Sequence, residues 1–116
     1  MPQFAFLLPN HPDRYRDMSE DEFLPIMKDY ISWVDEATKA GIFVGGHRLE
    51  ETGCFVSKSD DGIAVHDVVA TELAEVLGGL MIVEARDLDH AIDLARSHPH
   101  LVHNERIEIR PIDPEA

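Results

Sequence analysis

A chain of 116 residues with 23 acidic and 10 basic side chains carries a formal net charge of −13 and has room for a single domain around one core. A surface that anionic repels phosphate backbones and acidic lipid, which argues against nucleic acid and membranes as partners. No apolar run nears the roughly 20 residues that a membrane-spanning helix needs. Cys54 stands alone and cannot close an internal disulfide, and the chain opens without a basic stretch leading into an apolar one, so the expected compartment is the cytoplasm.

Phe4-Ala5-Phe6-Leu7-Leu8 is a short continuous apolar run and predicts a first strand. Pro9 to Met18 is polar, is broken by Pro9 and Pro12, and reads as a loop. Ser19-Glu20-Asp21-Glu22 has the form of a capping box, in which the serine caps the first turn and Glu22 reaches back to it. Phe23, Met27, Tyr30, Val34 and Ala37 then mark one face of a helix, with Gly41 placed to end it in the left-handed conformation. Pro25 falls inside this pattern and either kinks the first turn or becomes the start of the helix itself. Ile42-Phe43-Val44 opens a second strand, with a bulge or bend expected at Gly45-Gly46. Cys54 to Ser57 and Ile63 to His66 flank Asp60-Asp61-Gly62, the composition of a β-hairpin. Asp67 to Val76 is a connection with room for a short helical turn.

Leu80-Met81-Ile82-Val83 is apolar on both sides, which predicts a strand covered on both faces of its sheet. Asp87 is placed to cap a helix whose stripe is Leu88, Ala91, Ile92 and Ala95. Pro99 ends that helix by steering His98 out of the α region. Ile107 and Ile109 alternate with Glu108 and Arg110 in a half-buried last strand, where Pro111 suits an edge, and Asp113 to Ala116 is a loose tail. The order of elements predicts an α+β fold over residues 1–116, a ferredoxin-like antiparallel sheet with two helices on one face. The strands at Phe4 and Leu80 are the two central ones. Helices cover only one face, so the other calls for a second copy of the chain, a homodimer.

These residues resemble the YCII-related family, in its DGPF-motif branch. The opening FAFLL strand carries the likeness, with Tyr30, Trp33 and Ala40-Gly41, then Asp67, Glu72, Glu75-Val76-Leu77-Gly78-Gly79 and Asp87-Leu88-Asp89. His98-Pro99-His100 and the closing Ile107 to Ile112 complete it. The resemblance implies a ferredoxin-like subunit that pairs through its sheet into a dimeric α+β barrel, an architecture shared with small monooxygenases, muconolactone isomerases and stress-response proteins. The chain departs from the family pattern in two ways. The Asp-Gly-Pro-Phe motif is Asp67-Val68-Val69-Ala70 here, and Ala74 stands where a lysine usually follows the motif's glutamate. The helix over Asp21 to Ala40 also lacks the histidine that the family's suggested His–Asp pair draws from it, so the catalysis carries over only through Asp67.

Asp67 ends a strand beside a loop and has two readings: a general base or ligand anchor at a barrel mouth, or the cap of a segment starting at Val68. His66 points to the opposite face of the strand. His98, His100 and His103 could ligate a transition metal by residue type, yet they lack zinc-site spacing, and a helix end attracts histidine on dipole grounds alone. No metal and no cofactor are therefore expected. His98, the family's match, is the histidine assigned to the pocket, and Asp67 and His98 are the catalytic candidates. His47, Glu72 and Arg110 are the ligand-binding candidates. His47 follows two glycines that let a small molecule approach the backbone. Glu72 comes from the resemblance. Arg110, like Arg48, is a cation in a very acidic chain and suits either a ligand carboxylate or a cross-strand acid. No phosphate loop or nucleophile elbow is present.

The leading functional expectation is a small-molecule enzyme or binding protein with a pocket between sheet and helices. If it is an enzyme, cofactor-free acid–base chemistry on a small polar or aromatic substrate fits by analogy of fold. The alternative is a non-catalytic regulatory or ligand-sensing module. DGPF-type proteins are often associated with sigma factors, and an acidic surface suits a basic protein partner.

Overall fold

The two apolar runs form the middle of a four-stranded sheet in the computed structural model, which describes residues 1–69 and 72–115. β1 (Gln3–Asn10) and β5 (Val76–Glu84) pair antiparallel, from Gln3 opposite Glu84 to Asn10 opposite Val76. β2 (Phe43–Arg48) lies outside β5 and β6 (Glu108–Pro111) outside β1, giving the order β2-β5-β1-β6. That order is the ferredoxin-like one, with Pro111 on an edge strand as its missing N–H requires.

Strand alternation splits the central pair cleanly. Phe4, Phe6, Leu8, Met81 and Val83 are buried on one face, under α1 (Glu20–Lys39) and α2 (Leu88–Arg96). Tyr30, Trp33 and Val34 of α1 and Ala91 and Ala95 of α2 complete this core. Ala5, Leu7, Leu80 and Ile82 are cross-strand partners on the other face, which no helix of the described residues covers.

Local sequence explains the helix limits. Ser19 Oγ accepts the Glu22 N–H at 3.2 Å and caps the helix, which begins at Glu20. Glu22 reaches back to the serine hydroxyl, its Oε1 accepting from Oγ at 3.0 Å, and not to the serine backbone N–H. Pro25 therefore does not set the start, and α1 runs through it with one backbone bond fewer. At the far end Gly41 has φ 76°, its N–H reaches Thr38 O, and the Ile42 N–H reaches Ala37 O. That is the Schellman arrangement, which a residue with a Cβ would strain. Asp87 Oδ1 accepts the His90 N–H at 2.8 Å and caps α2.

Three details differ from the sequence expectation. α2 rests on its Ala91–Ala95 row with Leu94 turned partly inward, while Leu88 and Ile92 stay exposed, because two alanines let the helix lie close along that line. Pro99 does more than end α2: it opens a further turn, α3 (Pro99–Val102), at the N-terminal position where its missing N–H costs nothing. The hairpin of β3 (Cys54–Ser59) and β4 (Gly62–Asp67) does form, with Gly62 at φ 111°, but as a separate two-stranded ribbon rather than part of the main sheet. The bulge in β2 falls between Phe43 and Gly45. The expected turn within Asp67 to Val76 lies partly outside the described residues; within them the Glu72 N–H bonds Val69 O. Among the described residues no helix is long and apolar enough to cross a membrane.

Candidate functional site

A cavity of about 390 Å³ opens between α1 and one end of the sheet. Glycines make its floor. Gly46 on β2 and Gly78 and Gly79 on β5 leave the space that side chains fill elsewhere under the helices. Gly46 is also required by contact with the backbone, whereas at Gly78 the contact is with a side chain that can move. A Cβ on Gly46 would lie 2.8 Å from Leu80 O and 3.1 Å from Met81 Cγ, and one on Gly78 would collide with the Asn10 side chain. The walls are apolar: Leu8, Phe43 and Met81 from the sheet, and Phe23, Met27 and Val34 from the inward stripe of α1.

The polar groups on this cavity are few: Asn10, Tyr15, Tyr30, Arg48, Glu51 and His100 line it, with His47. Tyr30 and His100 are coupled. Tyr30 Oη lies 2.7 Å from His100 Nδ1, and His100 Nε2 lies 2.5 Å from Pro9 O. A carbonyl can only accept, so Nε2 carries the proton and Nδ1 presents its lone pair. Tyr30 must then donate to Nδ1. Burial holds His100 below the ordinary histidine range, against the opposing pull of the Pro9 carbonyl and the Glu105 charge. Burial, with Tyr15 and Glu105 nearby, pushes the Tyr30 phenol well up. The resting pair is therefore neutral at pH 7.

A buried carboxylate braces the loop beside it. Glu105, 3% exposed, accepts from His11 Nδ1 at 2.9 Å, from the His11 N–H at 3.3 Å and from Arg14 Nη1 at 3.1 Å. Arg14 Nη1 also reaches Asn104 O at 2.6 Å. These bonds tie the turn after β1 to the residues after α3 and so fix Tyr15 at the cavity wall. Burial first, and then the Glu105 charge, raise the Tyr15 phenol. Arg106 adds a two-point bond to Glu75 at 2.6 and 3.2 Å, which holds the Glu75 carboxyl below its usual range.

The sequence candidates are scattered. His98 is fully buried, its ring centroid 4.6 Å from that of Trp33 and 5.7 Å from that of Tyr30, and it does not line the cavity. The pocket position that the resemblance gave to His98 is held by His100. The physical reason is Pro99: by starting a helix it makes His98 the N-cap, with Nδ1 accepting the His100 N–H at 3.0 Å. Asp67 ends the separate hairpin, opposite Cys54, exposed and away from the cavity lining, so Asp67 and His98 do not meet in this chain. The Val68 N–H, next to Asp67, goes to Gly53 O, and the capping reading of Asp67 reaches into residues outside the described ones. His47 lines the cavity, but it pairs with Leu80 in the register of the uncovered sheet face. Glu72 is exposed in the connection before β5, and Arg110 sits on β6 paired with Glu108 at 3.1 Å. Tyr30, His100 and Arg48 are the residues that sequence reasoning did not select. In the sequence Tyr30 stands in an apolar stripe and in the family pattern, His100 among three histidines and in the family's HPH segment, and Arg48 as a cation in an acidic chain, none of them with a site role. Among the described residues no group of three or more ligating side chains could hold a metal ion.

Comparison with known proteins places the fold. No curated protein matches the chain. Among solved structures, the 5-chloro-2-hydroxyhydroquinone dehydrochlorinase TftG from Burkholderia phenoliruptrix AC1100, in complex with 2,5-dihydroxybenzoquinone, is similar with a TM-score of 0.54. The likeness covers 97% of this chain and 94% of that one at 10% identity, and is a likeness of fold. The model of the YCII-related domain matches residues 3–115, and the chain belongs to that family.

Proposed function

We propose that this chain takes a small hydroxylated ring compound into the cavity under α1 and moves a proton to or from it through the Tyr30–His100 pair, with no cofactor. The observation that carries this reading is the chain of bonds from Tyr30 Oη to His100 Nδ1 and from Nε2 to Pro9 O. With its own proton committed to Nδ1, the Tyr30 oxygen offers the cavity an acceptor, and the ligand that satisfies it is a donor such as a hydroxyl. As the ligand hands its proton to Tyr30, Tyr30 passes its own to Nδ1, leaving an anionic ligand and an imidazolium. The buried Glu105 charge favours that imidazolium. Apolar walls suit a ring, and the cavity volume falls at the small end of the range of about 300–1,000 Å³ usual for ligand sites. TftG, the structural neighbour, is described with a hydroxylated quinone, which agrees with the reading at the level of fold.

Titration with phenol, catechol and toluene tests it. The Tyr30→Phe variant keeps the ring contacts and removes the acceptor, so it should weaken phenol binding about tenfold, the worth of one hydrogen bond in a closed site, and spare toluene. Equal phenol affinity in wild type and variant would defeat the proposal.

A further inference from the structure

Among the described residues, Arg48 is the arginine that lines the cavity wall. Arg14, Arg16, Arg96, Arg106 and Arg110 each pair with a carboxylate at between 2.6 and 3.2 Å. Arg48, like Arg86 and the three lysines, makes no such pair among the described residues, and of these cations it alone is among the residues lining the cavity. Its guanidinium carbon instead lies 5.2 Å from the centroid of the Phe23 ring, and Nη1 lies 4.0 Å from Met27 Sδ. Both of those side chains line the cavity. The guanidinium thus lies against a ring face and a thioether, and its N–H donors have no anionic acceptor among the described residues.

We infer that Arg48 is the anion anchor of this cavity and that the ligand is a hydroxylated aromatic carboxylate, its carboxylate on Arg48 and its hydroxyl on Tyr30. The inference rests on the cavity reading above and narrows it. Two oxygens of a carboxylate match the planar guanidinium edge in a two-point bond, which a hydroxyl or a carbonyl cannot do. The layout fits a single ring. Arg48 ends β2, opposite Gly79 of β5, and Pro9, which orients His100, belongs to β1 on the far side of β5. The carboxylate end is thus set by Arg48 at the β2 side of the cavity and the hydroxyl end by Tyr30 of α1, whose partner His100 is bonded to Pro9 of β1, and a ring with polar groups at its two ends meets both. Glu51 also lines this mouth without pairing to Arg48. It disfavours a second negative charge on the ligand and, in the absence of Arg48, would favour an amine.

Calorimetric titration of the full chain at about pH 8, where the probe acid is fully ionised, separates the possibilities. The probes are para-hydroxybenzoate, the neutral para-hydroxybenzyl alcohol and the cationic para-hydroxybenzylamine. The wild type should bind the acid about tenfold or more tighter than the alcohol, a charge-assisted two-point bond against a neutral one. Arg48→Met keeps the contacts with Phe23 and Met27 and should erase that preference. Circular dichroism confirms that the variant is folded, and Arg48→Lys should restore only part of the preference. An acid preference that survives Arg48→Met overturns the inference. So does an amine preference lost in Glu51→Gln, which would make Glu51 the anchor. Equal binding of acid and alcohol overturns it while leaving the cavity reading intact. Absence of binding by any ring probe at millimolar concentration overturns both.

Discussion

His98 is held neutral by its surroundings. With Nδ1 accepting the His100 N–H, Nε2 carries the proton and points at Met81 Sδ, 3.4 Å away, a weak acceptor in a dry site. Burial, reinforced by His100, lowers its pKa from 6.5 to about 4. The unfolded chain takes up this proton as pH falls below 6.5 while the folded chain resists until about 4. Unfolding therefore becomes easier with acid across that window, and stability is regained as pH rises above it. The shift corresponds to roughly 3 kcal/mol at most, and His100, shifted in the same direction, adds to it. Urea unfolding at intervals from pH 7.5 to 4.5 should show this slope, and His98→Asn, which keeps a capping oxygen, should flatten it even though its stability at neutral pH is lower. A slope as steep in the variant as in the wild type would assign the effect elsewhere. None of this was readable from HPHLVH. Spacing shows that three histidines are near one another, but only the turn begun by Pro99 decides that His98 enters the core, His100 faces the cavity and His103 reaches Asp29.

Among the elements, those governed by short-range rules were legible. The Ser19 cap, the Asp87 cap, Gly41 past the end of α1 and the two apolar central strands each depend on residues within a few positions. The cavity was not legible, because its floor and walls come from β1, β2, β5 and α1 and meet only after the sheet has formed. Gly46 shows the difference. In sequence it suggests a bend; in the sheet it faces Met81, and Leu80 O, a backbone atom of a central strand, leaves no room for a methyl group. Gly46→Ala should therefore cost about 1–3 kcal/mol through overpacking and also narrow the cavity. Chemical denaturation would read the first effect, and weaker binding of the hydroxylated ring probes the second. Unchanged stability would mean that β2 shifts to absorb the methyl. By contrast, the hairpin was correctly read as a hairpin yet gives no sequence sign that it stands apart from the main sheet.

The molecule as a whole is thin, with extents of 49 × 44 × 18 Å, one helix layer on one sheet. Its second sheet face presents Ala5, Leu7, Leu80 and Ile82, flanked by Val44 and Leu77, and the hairpin exposes Phe55, Val56, Ile63 and Val65 by 58–66%. Soluble monomers seldom carry a contiguous apolar patch beyond a few hundred Å². We propose that a second copy covers it, sheet face to sheet face about a two-fold axis, in an interface of at least the standard ~1,600 Å². The register separates this interface from the core, which sequence alone could not do. Met81 and Val83 are buried beneath the helices, so aspartate there should unfold the chain. Leu80 and Ile82 point the other way, so Ile82→Asp should leave a folded subunit that no longer pairs. In sedimentation at micromolar concentration the wild type should run at twice its 13.1 kDa chain mass, Ile82→Asp at the single mass with native circular dichroism, and Met81→Asp should lose its native spectrum. A wild type that sediments as a folded monomer would leave the uncovered sheet face without the partner its composition calls for, and the dimer would have to be abandoned.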